Sequence, residues 1–148
     1  MIVLDASVVV ELMTNGTLAD SIREALYGRD DSFIVPHLID IEVMSALRRL
    51  VAGRRIEADR SNQFLASLAA LPVERYSHLP LIGRIWELRN NFTAYDAAYI
   101  ALAEATDAVL YTSDAKLEKG HRACVMASGT KRRKHPTVRV RGVVVFEV

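Results

Sequence analysis

The stretch IVLDASVVVELM, residues 2–13, has three apolar residues, then an aspartate, then a second apolar segment. A short apolar run that ends in an acid is typical of a buried strand in a parallel sheet. Ser7 is predicted to cap the helix that follows, and this helix is expected to end near Gly16. The pattern therefore places Asp5 at the carboxyl end of the first strand.

The rest of the chain repeats this alternation of strand and helix. Apolar, strand-like runs are followed by segments with helical periodicity, and Pro36 is predicted to open one of these helices. The predicted strands include FIV, VER and VLYT, and the predicted helices lie near residues 19–28, 37–53, 57–71, 79–91, 94–105 and 115–119. The alternation predicts an α/β fold, with a small, mostly parallel sheet flanked by helices on both faces.

Composition indicates one soluble domain. The chain has 148 residues, of which 51% are hydrophobic and 25% are charged, an ordinary balance for a globular protein. The single cysteine, Cys124, permits no intrachain disulfide and indicates a reducing compartment. The apolar start lacks a basic leader and is interrupted by Asp5 and Glu11, so neither a signal peptide nor a membrane span is expected there. A cytoplasmic location is the prediction.

The charge is unevenly distributed along the chain. Residues 1–118 contain 17 acids and 11 Lys or Arg, a balance of −6, whereas residues 119–148 contain one acid and eight Lys or Arg, a balance of +7. The basic part includes the run Lys131, Arg132, Arg133 and Lys134. Such a run is most often a solvated surface, but it can also contact RNA phosphates.

Four acids are expected to meet at one edge of the sheet. Asp5 and Asp114 each follow a predicted strand, and Glu42 and Asp96 lie in the first turns of apolar helices. Strand ends and helix starts share the carboxyl edge of a parallel sheet, where ligands bind in open α/β folds.

Each acid also has a purely structural interpretation. Asp5 and Asp114 can cap the helices that follow them, and Glu42 can pair with a nearby arginine. Thr93 and Asp96 have the spacing of a capping box, although the helix TAYDAAYIALAE has almost no polar face.

The joint pattern favours a metal site. Four carboxylates packed together without counter-charge would repel one another. Mg²⁺ accepts oxygen ligands and needs only one or two direct carboxylates, and Mn²⁺ is the expected substitute. With no paired histidines and no cysteine cluster, the sequence does not suggest zinc.

The sequence resembles the PIN-domain ribonucleases, and among them the VapC-type toxins of bacterial toxin–antitoxin pairs. The matching segments are IVLDAS, IEVMSALRR, AYDAAYIALAE and LYTSDAKL, which contain the acids in the family's order of Asp, Glu, Asp and Asp. The resemblance covers residues 1 to about 126, the predicted nuclease domain. Residues 127–148 form an atypical basic extension, in which Val138, Val140 and the run VVVFEV are predicted to be one more strand, added to or replacing RACVM at the edge.

The resemblance implies a metal-dependent RNA hydrolase that forms a homodimer and pairs with an antitoxin of VapB type. It assigns Asp5, Glu42, Asp96 and Asp114 as the metal site, and Ser7 and Thr112 lie beside these acids as supporting hydroxyls. Asp5, Asp96 and Asp114 would hold the metal, and Glu42 would hold a water as general base or belong to a second metal site.

Other functions remain open at this stage. A phosphoaspartate receiver would need an acid pair after the first strand, and a haloacid-type phosphatase would need an acid at position 7, where the chain has Ser7. A non-catalytic RNA-binding or partner-binding module and a Mg²⁺-dependent DNA nuclease remain as alternatives.

Overall fold

The computed structural model describes residues 1–114, Leu117 and the two strands at 138–140 and 143–147. The strands are β1 (Ile2–Leu4), β2 (Phe33–Pro36), β3 (Glu74–Tyr76), β4 (Val109–Thr112), β5 (Val138–Val140) and β6 (Val143–Glu147). The helices are α1 (Ala6–Thr14), α2 (Ala19–Leu26), α3 (Ile39–Ala52), α4 (Ala58–Ala69), α5 (Ile82–Glu87) and α6 (Ala94–Thr106), and 3₁₀ turns at Leu79–Leu81 and Leu88–Asn90 flank α5.

The strands form a single sheet in the order β3-β2-β1-β4-β6-β5. Strands β1 to β4 are parallel to their neighbours, whereas β6 is antiparallel to both β4 and β5. The predicted mostly parallel α/β sheet is therefore confirmed. The order of the parallel strands reverses beside β1, and in open α/β sheets such a reversal marks the ligand-binding crevice.

The helices cover both faces of the sheet. Helices α1, α3 and α4 pack on one another, while α5 packs on α6, which also contacts β1, β2 and β4. The chain moves in opposite directions along the sheet from β1 to β2 and from β3 to β4. Because parallel crossovers are almost always right-handed, we infer that these two groups of helices lie on opposite faces. Within the part of the chain that the structure describes, no helix is long and apolar enough to cross a membrane.

Helix α6 is buried almost all round. Seven consecutive residues, from Ala97 to Ala103, are buried, and β1 is buried along its whole length. The polar side of α6 is confined to its ends, as its sequence predicts. A carboxylate in the first turn of such a helix lies next to the apolar core, where a charge is costly unless it has a partner.

Two local predictions were wrong. The residue at the cap position of α1 is Asp5, and Ser7 lies inside the first turn of the helix. Pro36 belongs to the end of β2 instead of opening α3, which begins at Ile39. Proline can stand at this strand end because the sheet requires no N–H hydrogen bond from that position. Its fixed φ is compatible with an extended residue as well as with the first turn of a helix.

The extension contains two strands where one was predicted. Strand β6 pairs with β4 over four residues, from Thr112 opposite Val144 to Val109 opposite Glu147, and β5 pairs outside β6. The position beside β4 is therefore filled by β6. Residues 122–126, the alternative edge strand, and the helix predicted at 115–119, except for Leu117, lie outside the described residues.

Helix α3 ends in an unusual way. The N–H of Arg55 donates to the carbonyl of Leu50 at 2.9 Å, and the N–H of Arg54 donates to that of Val51 at 2.9 Å. These two bonds form a Schellman motif, which requires a left-handed residue and usually has glycine there. In this chain the left-handed residue is Arg54, with φ 55°, and the glycine, Gly53, stands one position earlier.

Candidate active site

Asp5 occupies the junction of β1 and α1. Its N–H donates to the carbonyl of Tyr111 on β4 at 3.0 Å, and its carbonyl accepts from Val8 and Val9 in α1. Its backbone is extended, as at a helix cap, but its side chain makes no capping hydrogen bond. The alternative interpretation of Asp5 as a helix cap therefore holds for its backbone position but not for its carboxylate.

Two hydroxyl groups hold the Asp5 carboxylate. The Oδ2 atom accepts from the Ser7 hydroxyl at 2.6 Å and from the Thr112 hydroxyl at 2.7 Å. The N–H of Ser113 donates to Ser7 Oγ at 3.1 Å, and the N–H of Asp114 donates to Thr112 Oγ1 at 3.0 Å. The end of β4 therefore orients both hydroxyls, and through them the aspartate of β1.

Burial raises the pKa of Asp5 above its usual value. Asp5 is only 7% exposed and Thr112 is fully buried, so the charged carboxylate has lost most of its hydration. Hydrogen bonds from Ser7, Thr112 and the backbone of Ala6 oppose this rise in pKa, and the charge of Asp96 adds to it. Among the described residues, no Lys or Arg lies within ion-pair distance of Asp5.

Glu42, on α3, lies against α6. Its Oε2 accepts from the Tyr99 hydroxyl at 2.5 Å, a contact between residues 57 apart in the chain. Burial raises the pKa of Glu42, the Tyr99 hydrogen bond lowers it, and the charges of Asp5 and Asp96 raise it further. The alternative interpretation of Glu42, an ion pair with an arginine, is not found among the described residues, although the charge of Arg49 also lowers this pKa.

Asp96 is part of a helix cap and also of the acidic group. The Asp96 N–H donates to Thr93 Oγ1 at 3.2 Å, and the Thr93 hydroxyl donates to Asp96 Oδ2 at 2.8 Å. The structure thus places the capping pair as its spacing predicts. The same carboxylate raises the pKa of both Asp5 and Glu42, so it lies close enough for its charge to act on them.

Asp114 lies just past β4, exposed to solvent. Its backbone links it to Asp5 through Thr112, and its carbonyl accepts from the N–H of Leu117 at 3.1 Å, as at the start of a helical turn. The basic run Lys131 to Lys134 lies outside the described residues.

The acids lie near one another, but their side chains do not converge on a single point. Asp5, Glu42 and Asp96 influence one another electrostatically, and Asp114 follows the strand beside Asp5. Yet no three Asp, Glu, His or Cys side chains in the described part of the chain are placed to hold one ion. Each of the first three carboxylates binds a hydroxyl, on Ser7 and Thr112, on Tyr99 or on Thr93.

This donor set nevertheless fits a hard cation. Mg²⁺ needs only one or two direct carboxylates and keeps several waters. Hydroxyl donors are weaker partners for a buried carboxylate than a cation is, and the raised pKa of Asp5 shows that they leave its charge costly. A divalent cation beside Asp5 would therefore lower that cost.

Tyr99 belongs to this site and was not predicted as a site residue. It is 1% exposed, and burial followed by the hydrogen bond to Glu42 raises the pKa of its hydroxyl. A buried tyrosine usually needs a polar partner. Its position one helical turn after Asp96, on an otherwise apolar helix, was the signal in the sequence.

The fold is an α/β sheet with acids near the carboxyl edge of its parallel strands, and comparison with known families identifies the class of protein. A family model described as the PIN domain matches residues 2–122. The chain belongs to the PIN-domain family, and its curated relatives are VapC ribonucleases.

Three relatives from Mycobacterium tuberculosis illustrate the likeness. Ribonuclease VapC9 is 40% identical over 125 residues, which are 84% of this chain and 94% of that protein. Ribonuclease VapC1 is 41% identical over 117 residues, 78% of this chain and 86% of that protein. Ribonuclease VapC12 is 35% identical over 121 residues, 82% and 92% of the two chains.

One solved structure has the same fold. The crystal structure of VapC20 from Mycobacterium tuberculosis, described as a toxin that cleaves the sarcin–ricin loop, superposes with a TM-score of 0.58. The match covers 73% of this chain and 85% of that one, at 14% identity. At this identity the likeness concerns the fold alone.

Proposed function

We propose that this chain is a Mg²⁺-dependent endoribonuclease, the toxin of a type II toxin–antitoxin pair, with residues 1–126 as its nuclease domain. The observation that carries the proposal is the Asp5 carboxylate. It is buried at the strand-order reversal, it is held by two hydroxyls, and it lies close enough to Asp96 for the charge of Asp96 to raise its pKa. The names of the relatives, all ribonucleases, indicate RNA as the substrate.

The four acids would have different roles in the reaction. Asp5 and Asp96 would hold the cation, with Asp114 completing the site directly or through water. When bound, Mg²⁺ or Mn²⁺ would neutralise charge on the scissile phosphate and make a water more acidic. Glu42 would accept a proton from the attacking water as general base, or contribute to a second cation site.

The neighbouring side chains would keep these acids in place. Ser7 and Thr112 bind the same oxygen of Asp5 and so fix the plane of its carboxylate. Tyr99 holds Oε2 of Glu42 in the same way. Fixed acids lose little entropy on binding a ligand, which is the benefit of a preorganised site.

Chelation should stop the reaction. In Mg²⁺ or Mn²⁺ the chain is expected to cleave single-stranded or structured RNA, and EDTA should abolish the cleavage until excess Mg²⁺ restores it. The measurement is a gel assay with RNA and with DNA of the same sequence. Undiminished cleavage in EDTA would contradict the metal mechanism. Equal cleavage of DNA would favour the DNA nuclease, and binding without cleavage would favour the non-catalytic module.

The surface beside the acids supports a homodimer. A groove of about 330 Å³ lies between the α5 region and α6, and its lining is almost entirely apolar. Trp86, Ile82 and Tyr95 line this groove and are 67%, 54% and 60% exposed. Exposed apolar surface of this kind usually marks a protein interface, and we assign it to a second copy of the chain.

Trp86→Glu is therefore expected to convert a dimer into a monomer. A charge at the centre of an apolar interface loses its hydration without gaining a partner. Light scattering at several protein concentrations measures the change. Tyr27→Glu, which adds the same charge at an exposed aromatic residue outside the groove, is the control. A wild-type chain that is monomeric at high concentration would contradict the homodimer.

The remaining partner is an antitoxin of VapB type, which the family resemblance implies. We expect the purified antitoxin to bind the chain and to inhibit its cleavage of RNA. Cleavage that persists at saturating antitoxin would count against this pairing.

A further inference from the structure

Four exposed arginines on and after α3 stand apart from the other arginines of residues 1–114. The others have partners there, because Arg23, Arg29, Arg75 and Arg84 pair with carboxylates, and Arg60 and Arg89 lie over aromatic rings. Arg48, Arg49, Arg54 and Arg55, which we call the arginine strip, are exposed, and no hydrogen bond or ion pair joins their side chains to any residue that the structure describes.

One member of the arginine strip, Arg49, lies on the face of α3 that carries Glu42. Glu42 and Arg49 are seven residues apart, close to two full turns, so they share a face at a separation of roughly 10 Å along the axis. An extended RNA strand would cover this distance within a few nucleotides.

The backbone at Arg54 gives a second, independent reason to assign a role to the arginine strip. Arg54 adopts φ 55° in the motif that ends α3. Glycine suits this position better, because a side chain in the left-handed region is strained. Strain of this kind at a surface position is compatible with a functional use of the side chain.

The charges around the strip make it the natural place for phosphates. Residues 1–118 carry a balance of −6, and four of the ten arginines in residues 1–114 pair with carboxylates. The strip concentrates free positive charge where the rest of this segment repels an anion. Guanidinium groups bind phosphate with two parallel hydrogen bonds and remain charged at all relevant pH values.

We propose that the arginine strip binds the phosphate backbone of the RNA strand that passes through the acidic site. This inference rests on the proposed ribonuclease function and adds to it the surface that holds the substrate. An acidic segment of a protein is the other ligand with matching charge, and the test separates the two.

The experiment compares two double variants with the same change in net charge. Arg49→Gln/Arg54→Gly alters the strip, and glycine at position 54 removes the left-handed strain, so this variant should fold at least as stably as the parent. Arg23→Gln/Arg29→Gln is the control, because both arginines are exposed but lie on or just after α2. Both are made in the Asp5→Asn background for binding, so that RNA stays intact, and in the parent chain for cleavage.

The salt dependence of RNA binding provides the readout. Each phosphate contact contributes about 0.7 to the slope of log affinity against log salt for single strands. The strip variant should flatten that slope by about 1.4 with a single-stranded RNA probe, whereas the control should leave it unchanged. In cleavage assays the strip variant should raise KM, whereas the control should leave KM unchanged.

The possible outcomes separate the two proposals. An unchanged slope in the strip variant, or an equal change in the control, would overturn the strip. Poly-glutamate represents the acidic protein segment. If the strip variant loses binding to poly-glutamate but still binds RNA as the parent does, the RNA proposal is overturned and the surface is assigned to a protein partner. If the parent cleaves no RNA with any divalent cation but the slope flattens as stated, the strip stands as an RNA-binding surface and the ribonuclease proposal fails.

Discussion

Asp5→Asn is expected to reduce RNA cleavage by at least about a hundredfold and, in EDTA, to make the protein more stable near neutral pH. Even the outer partners of a metal ligand are worth about 10–100-fold in affinity or activity, so loss of a direct ligand should exceed that range. The gain in stability follows from the burial of Asp5, which is 7% exposed.

The direction of the pH effect follows from the raised pKa. Because the folded-state pKa of Asp5 lies above the usual value of 3.8, the folded protein binds the proton more tightly than the unfolded chain does. The stability contributed by neutral Asp5 is fully present below the unfolded pKa and is lost as pH rises through the folded pKa. Each pKa unit between the folded and unfolded values corresponds to about 1.4 kcal/mol in the free energy of unfolding.

Melting curves in EDTA from pH 4 to pH 8 would measure this effect. The advantage of Asp5→Asn should grow as pH rises, and added Mg²⁺ should raise the melting temperature of the parent but not that of the variant. Asp59→Asn, an exposed acid in the first turn of α4, is the control and should leave cleavage unchanged. A variant less stable than the parent at pH 7 in EDTA would contradict the cost assigned to the Asp5 charge.

Asp96→Asn and Thr93→Ala should separate ligation from capping. Thr93 accepts from the N–H of Asp96 as the cap of α6, so Thr93→Ala should lose about 0.5–2 kcal/mol of stability. Its cleavage should remain close to that of the parent at temperatures where it is folded. Asp96→Asn keeps the backbone N–H and the Thr93 cap, so it should stay folded and yet lose at least about a hundredfold in cleavage.

Denaturant unfolding and cleavage measured on the same preparations would decide between these roles. A destabilised but fully active Asp96→Asn would make Asp96 a capping residue only, and the cation would then depend on Asp5, Glu42 and Asp114. An inactive but stable Thr93→Ala would instead show that the hydroxyl held at 2.8 Å from Asp96 Oδ2 acts in catalysis.

The sequence was sufficient for the parallel part of the fold. Short apolar runs that end in an acid or a proline, with amphipathic segments between them, leave few arrangements other than a sheet covered on both faces. The same reasoning placed Asp5 at the strand end and Asp96 in the first turn of α6, where both are found. These features depend on local pattern, which a single sequence carries.

Features that depend on contacts between distant parts of the chain could not be predicted from the sequence. Between Val138 and Glu147 the sequence first alternates apolar and basic residues and then becomes mostly apolar. This pattern did not show that the run forms two strands, or that β6 pairs with β4. The hydrogen bond from Tyr99 to Glu42 joins two helices, and each residue alone is an ordinary member of an apolar face. Free charge on the arginine strip became visible only once the partners of the other arginines were known.

The hydrogen bond between Thr112 and Asp5 joins positions 107 residues apart, and this has a consequence for the chain during its synthesis. Asp5 leaves the ribosome early, but the strand that orients its carboxylate is made last among the parallel strands. At about 5–20 residues per second, roughly 5–20 s separate the two events. If the proposed function is correct, a nascent chain contains its first acid before the site is assembled, and it can cleave RNA only after β4 has emerged.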